Sequence, residues 1–130
     1  MKLPFTGKSQ PAEKTQEPEQ EQEPFRQINV DEARTMMEGG QVTLIDVREP
    51  YEYAAGHLPG ARLVPLRNLL SKPQEYLNAD NISDNIVFVC ASGERSAVAC
   101  EMAASLGFTH VCNVSGGTYD WMAKGYPVER

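Results

Sequence analysis

The chain has 130 residues, a net charge of −6 at neutral pH and 41% hydrophobic residues, enough for one ordinary domain with some chain left over. The acidic balance argues against nucleic acid and anionic membrane surfaces as partners, since both want clustered Lys and Arg. No apolar run reaches the length of a membrane helix.

The first residues contain a basic residue, Lys2, but no apolar core region, so no secretory signal is expected there. From residue 9 to 24 the chain is Gln, Glu and Pro with almost nothing apolar, and such a segment cannot bury enough surface to offset its ordering. Residues 1–24 therefore read as a disordered tail and 25–130 as the folded domain. The three cysteines, Cys90, Cys100 and Cys112, are odd in number and irregularly spaced. They do not form a disulfide framework, and a reducing, cytoplasmic setting is expected.

Residues 25–30 alternate apolar and polar as a short edge strand does. Asp31 is expected to cap a helix over 32–38 that Gly39 and Gly40 close. Residues 42–45 form a second, buried strand ending at Asp46-Val47-Arg48. Pro50 can open a helix to about Ala55, and the turn-rich run from Gly56 to Ala61 follows. A short strand is expected over 63–66, then helix over 66–70 and 74–77 broken near Pro73, then a polar loop over 78–85. Residues 86–89 are Ile-Val-Phe-Val without alternation, the pattern of a strand buried on both faces. They run into Cys90, a short loop and an Ala-rich helix to about Leu106, with Ser96 or a neighbour as cap. A strand over 110–114, a tight turn at Ser115-Gly116-Gly117 and a helix over 118–124 complete the chain. Strands alternating with helices indicate an α/β fold, a mostly parallel sheet with helices on both faces.

Cys90 thus ends a central strand at the amino end of a helix, where open α/β sheets place ligand sites. The backbone N–H groups of Ala91, Ser92, Gly93, Glu94, Arg95 and Ser96 lack intrahelical partners and can converge on the sulfur. The helix end adds partial positive charge and Arg95 a full one, and all of these favour a thiolate. Gly93 lets the loop take a positive φ or lets an anion approach closely. Glu94 opposes the other charges and is expected to point outward. The alternative is an inert core cysteine, the usual fate of this residue type. The strand–helix junction, the Gly and the Arg together favour the reactive reading. No zinc-type spacing of Cys and His and no glycine-rich nucleotide fingerprint occurs, so neither metal nor organic cofactor is expected.

Four motifs in register resemble the single-domain rhodaneses: Ile45-Asp46-Val47-Arg48-Glu49-Pro50-Tyr51-Glu52-Tyr53, Gly56-His57-Leu58-Pro59-Gly60-Ala61, Cys90 to Ser96, and Val114-Ser-Gly-Gly-Thr-Tyr-Asp-Trp121. The resemblance implies a doubly wound, five-stranded sheet and a sulfurtransferase in which Cys90 takes a sulfane sulfur from thiosulfate or a persulfide. The resulting Cys90 persulfide hands that sulfur to a thiol or cyanide. The residues from Ala91 to Ser96 correspond to the anion cradle, and Arg95 to a position that is often basic. Cys90 to Arg95 spans C-x4-R, one residue short of the phosphate-sized loop of tyrosine phosphatases, which ranks phosphatase activity low. Ala91 and Ser92 are neutral and Glu94 offsets Arg95, which predicts weak affinity for the thiosulfate dianion.

The supporting residues have plainer expected roles. Asp46 and Arg48 end a strand beside Cys90, and Asp46 is expected to clamp the loop backbone or pair with Arg48 rather than act as a base. His57 should tie its turn, Glu52 should face Arg48 or solvent, and Tyr119 and Trp121 should anchor the last helix. Cys100 follows ten residues after Cys90. At about 1.5 Å per helical residue it lies more than roughly 10 Å away, beyond the about 7 Å that a disulfide allows. Expected partners are a small-molecule or protein persulfide donor and a thiol acceptor, and the expected state is a monomer. The rival reading is a noncatalytic module that docks a partner through its acidic surface or tail.

Overall fold

The computed structural model describes residues 24–80 and 85–130. The tail expected over 1–24 thus lies, but for Pro24, outside the described residues, as does much of the polar loop expected over 78–85. The elements run β1 (Arg26–Ile28), α1 (Val30–Gly39), β2 (Val42–Asp46), α2 (Pro50–Ala55), β3 (Arg62–Leu63), α3 (Leu66–Ser71), α4 (Pro73–Tyr76), β4 (Asn85–Val89), α5 (Glu94–Ser105), β5 (His110–Val114) and α6 (Gly117–Ala123). The strands form one five-stranded sheet in the order β1-β5-β4-β2-β3, and every neighbouring pair is parallel.

β4 is central and apolar on both sides because the sheet is covered on both sides. Ile86, Val87, Phe88 and Val89 are all fully buried. Alternate residues of the strand feed two separate cores. Ile86, Phe88 and Cys90 join Ile45, Val47, Leu69, Ala99 and Ala103 beneath α3 and α5. Val87 and Val89 join Ile28, Ala33, Leu44 and Trp121 beneath α1 and α6. The sheet is therefore doubly wound.

The strand order also decides where a site can open. The chain leaves β2 toward β3 in one direction and leaves β4 toward β5 in the other. The order thus reverses between β2 and β4, and beyond the carboxyl ends at such a reversal open α/β sheets place their ligand sites. Asp46 lies opposite Val89 in the register, so Asp46-Val47-Arg48 and Cys90 emerge side by side at that edge of the sheet.

Two helix starts differ from expectation. The cap of α1 is Asn29, not Asp31: Asn29 Oδ1 accepts from the Glu32 N–H (2.8 Å) and Glu32 Oε1 accepts from the Asn29 N–H (2.8 Å), a reciprocal capping box. Asp31 points away to accept from Lys124 Nζ (3.0 Å) and the Tyr126 hydroxyl. In α5 the cap is Gly93 and the helix begins at Glu94, which moves Ser96 into the first turn and places its hydroxyl 3.3 Å from the sulfur.

Candidate active site

The Cys90 sulfur has no solvent exposure, yet it is not sealed among hydrocarbon alone. The Gly93 N–H donates to Sγ at 3.1 Å and the Ser96 N–H at 3.3 Å, with the Ser96 hydroxyl also at 3.3 Å. Burial is the largest single influence on the thiol and pushes its pKa up. The hydrogen bonds from the Ser96 hydroxyl and from the N–H groups of Ser96, Gly93 and Ser92 outweigh it, and the thiol is held below its ordinary value. Burial of this sulfur therefore goes together with a lowered pKa.

The N–H groups face the sulfur because the loop's carbonyls are engaged elsewhere. The Cys90 carbonyl accepts from the Thr118 N–H (2.9 Å) and the Thr118 hydroxyl (3.0 Å), and the Ala91 carbonyl accepts from the Tyr119 N–H (3.0 Å). The first turn of α6 thus grips the outside of the loop. That grip requires glycine on both sides. A Cβ on Gly117 would lie 2.4 Å from the Ala91 carbonyl oxygen, and one on Gly93 would lie 2.4 Å from the Ser115 carbonyl oxygen. Gly93 also holds φ at +107°, which side-chain-bearing residues rarely adopt. The turn at Ser115-Gly116-Gly117 is therefore part of the site's frame. The paired glycines were its signal in the sequence, but a tight turn alone does not say what it grips.

The charged residues are arranged differently from the loop-by-loop expectation. Arg95 is bound end-on by Glu52 of α2, Nη1 to Oε1 at 2.9 Å and Nη2 to Oε2 at 3.0 Å. Glu52 therefore faces Arg95, not Arg48 or solvent. It is held there because its Oε1 also accepts from the Glu49 N–H at the start of α2 (2.8 Å). The hydrogen bond from Arg95 is the main reason the Glu52 carboxyl falls to about 2, and Glu52 in turn pushes Arg95 up. Glu94 is exposed as expected and accepts from the Ser92 hydroxyl at 2.5 Å. It is Glu52, distant in sequence, that neutralises Arg95 by contact.

Asp46 and Arg48 form a buried pair. Arg48 Nη2 and Nε donate to Asp46 at 2.8 and 2.9 Å, and Nη2 also donates to the Gly56 carbonyl at 2.9 Å. With the Arg48 N–H on Oδ1 as well (3.0 Å), the carboxylate serves as the expected clamp between the end of β2 and the Gly56 turn. His57 ties that turn as expected. Its N–H and carbonyl exchange 2.9 Å hydrogen bonds with Glu129, its Nδ1 lies 2.8 Å from the Tyr53 carbonyl, and its ring stacks on Tyr53. Trp121 anchors α6 through Nε1 to the Pro127 carbonyl (2.8 Å), whereas Tyr119 is exposed. All three cysteines are free thiols. Burial pushes Cys100 and Cys112 up, opposite to Cys90.

One residue of the site carried no motif. Asn113 of β5 is buried, and its Oδ1 lies 2.5 Å from the Ser96 hydroxyl. Its only trace in the sequence is an amide in the middle of a buried apolar strand, where a polar group must find partners.

Residues 29–124 match the family model described as the rhodanese-like domain. The chain is 33% identical over 107 residues to the human thiosulfate:glutathione sulfurtransferase, covering 75% of this chain and 93% of that protein. It is 32% identical over 111 residues to thiosulfate sulfurtransferase 18 of Arabidopsis thaliana, covering 78% and 81%. Among solved structures, a rhodanese-related protein from Thermoplasma volcanium superposes with a TM-score of 0.70 at 31% identity, over 80% of this chain and 97% of that one.

Proposed function

This chain belongs to the family of rhodanese-like domains, and two of the relatives it resembles are named sulfurtransferases; from that premise we propose that it carries a sulfane sulfur as a persulfide on Cys90. In the first half-reaction the Cys90 thiolate attacks the outer sulfur of a donor. The new S–S bond forms as the donor's own bond to that sulfur breaks, and the donor leaves with the electron pair, as sulfite when the donor is thiosulfate. In the second, an acceptor thiolate or cyanide attacks the outer sulfur and Cys90 leaves as a thiolate. This is nucleophilic catalysis, and the lowered pKa of the Cys90 thiol lets it run without a separate base. The clamped Asp46 carboxylate supports that economy: its oxygens serve Arg48.

The observation that carries this reading is the pair of N–H groups aimed at a buried sulfur, Gly93 at 3.1 Å and Ser96 at 3.3 Å. They stabilise the anion where it resides at rest and where it returns when the sulfur leaves. The test is mass spectrometry of the whole chain after incubation with thiosulfate and, separately, with a low-molecular-weight persulfide. One sulfur atom should be gained at Cys90 and none in Cys90→Ser; no gain with either donor would overturn the assignment.

The donor we propose is a persulfide rather than thiosulfate. A dianion wants free positive charge at the mouth, and the Arg95 charge is already matched by Glu52. The relatives named for thiosulfate make this a sharp test. Steady-state cyanolysis should show a weak thiosulfate KM, and a KM in the low micromolar range would contradict it.

A further inference from the structure

The Ser96 hydroxyl has one proton and two claimants. Cys90 Sγ lies 3.3 Å away and Asn113 Oδ1 lies 2.5 Å away. The orientation of the Asn113 amide is fixed by its other end. Its Nδ2 lies 3.1 Å from the Gly93 carbonyl and 3.0 Å from Gln27 Oε1. A carbonyl only accepts, so the NH2 must face Gly93 and the oxygen must face Ser96. If the Ser96 proton turned to the sulfur, two oxygens would confront each other at 2.5 Å with no hydrogen between them. In the neutral thiol the proton therefore belongs to Asn113, and the Ser96 oxygen offers the thiol a lone pair. Only a full negative charge on the sulfur can draw the proton over, because hydrogen bonds to ionised groups are roughly twice as strong as neutral ones.

We propose that Asn113 is a positioning residue of the Cys90 site, which holds the Ser96 proton off the sulfur in the thiol and yields it when the sulfur ionises. The proposal rests on Cys90 being the reacting group. It makes the Ser96 hydroxyl a conditional donor, present for the resting thiolate and withdrawn when the charge moves out to the far sulfur of a persulfide, about 2 Å away. Asn113 thereby limits how stable the resting thiolate becomes. The same Nδ2 contact also holds the Gly93 carbonyl, in the peptide unit that follows the Gly93 N–H donating to the sulfur.

Other titratable groups around Cys90 are Glu94 at the start of α5, bound to Ser92; Arg95 of α5, bound to Glu52 of α2; Asp46 beside it on β2, bound to Arg48; and Cys100 of α5, whose pKa burial pushes up. A substitution at 113 alters the charge of none of them.

The experiment measures the pH midpoint of Cys90 alkylation by iodoacetamide in the full chain, read by peptide mass spectrometry. It needs no sulfur donor, so its outcome is separate from that of the sulfur-transfer test. Asn113→Val removes the competing acceptor, and the midpoint should fall by about one unit, the scale of one hydrogen bond to an ionised group. In a Ser96→Ala background the same substitution should move the midpoint by less than about a third of that. An unchanged or raised midpoint in Asn113→Val, or an equal fall in both backgrounds, would overturn the proposal. If Asn113→Val does not fold, the wild-type chain decides. The Asn113 side-chain NH2 resonance should titrate with the Cys90 midpoint and cease to do so in Ser96→Ala; a titration that survives Ser96→Ala would overturn it.

Discussion

Cys90 and Cys100 face the same core beneath α5, and neither is exposed to solvent. Their thiols are nonetheless pushed in opposite directions, Cys90 down and Cys100 up. Cys100 lies inside α5, where backbone N–H groups are spent on the carbonyls one turn earlier. Cys90 lies just before that helix, where the N–H groups have no intrahelical partner. Both are shielded from solvent and burial pushes both thiols up; only at Cys90 do unspent donors outweigh it. The downward shift at Cys90 is thus a property of the strand–helix corner, not of the residue type.

The comparison breaks most visibly at the sulfur itself. Cys90→Ser should lower sulfur transfer by on the order of 10³-fold or more. Cys100→Ala should leave turnover within about twofold and cost about 1–2 kcal/mol of stability through the small cavity it opens. Steady-state rates and denaturant melts check both, and a Cys100 variant as dead as the Cys90 variant would erase the distinction.

Gly93→Ala should make Cys90 behave more like Cys100. The new Cβ meets the Ser115 carbonyl oxygen at 2.4 Å and the residue is forced to hold φ near +107°. The strain costs about 1–3 kcal/mol, and relieving it swings the Gly93 N–H off the sulfur. Thermal melting should show the loss, and Cys90 alkylation near neutral pH should slow by about tenfold, equivalent to one pKa unit.

A pH series of alkylation sharpens the contrast without mutation. A lowered pKa means the reactive anion is present at lower pH, so Cys90 should react with a midpoint below the 9.0 of an ordinary cysteine. Cys100 should react only above it. Peptide mapping of the labelled chain reads the order directly, and simultaneous labelling of the two would count against the donor argument.

The smallest expected effect is at Glu52. Glu52→Gln frees Arg95, and the thiosulfate KM should fall by about three- to tenfold with kcat little changed, the effect of one partly screened charge. The stability change should stay below about 1 kcal/mol, because the pair is partly open to solvent. Its sign with pH follows from a carboxyl held at about 2 in the fold against 4.5 unfolded. The pair stabilises the protein above about pH 4.5, and that stability is lost as the pH falls toward 2. The difference in melting temperature between wild type and Glu52→Gln should shrink over that interval.

The order of strands and helices was legible from residue pattern, because each depends on neighbours a few positions away. The unbroken apolar run before Cys90 required a strand covered on both faces, and the sheet has its centre there. Cap positions were less legible, since Asn29 and Asp31 are equally good caps by type and Ser96 is a better one than Gly93. Which of them caps was settled by what the other had to reach: Lys124 and Tyr126 for Asp31, the sulfur for Ser96. The charge of the loop was misjudged for the same reason. Counting within the loop pairs Glu94 with Arg95, while the fold brings in Glu52 from 43 residues earlier.

By itself the sequence determined the alternating strand–helix architecture, the strand–loop–helix corner and the place of Cys90 at that corner, because hydrophobic period, helix ends and glycine conformation are local properties of a chain. Only the tertiary structure decided which donors the sulfur receives, which carboxylate neutralises Arg95 and which amide competes for the Ser96 proton. Those depend on hydrogen bonds a few ångströms long between residues far apart in sequence, and no local pattern encodes which of many suitable polar groups the packed sheet will bring within reach.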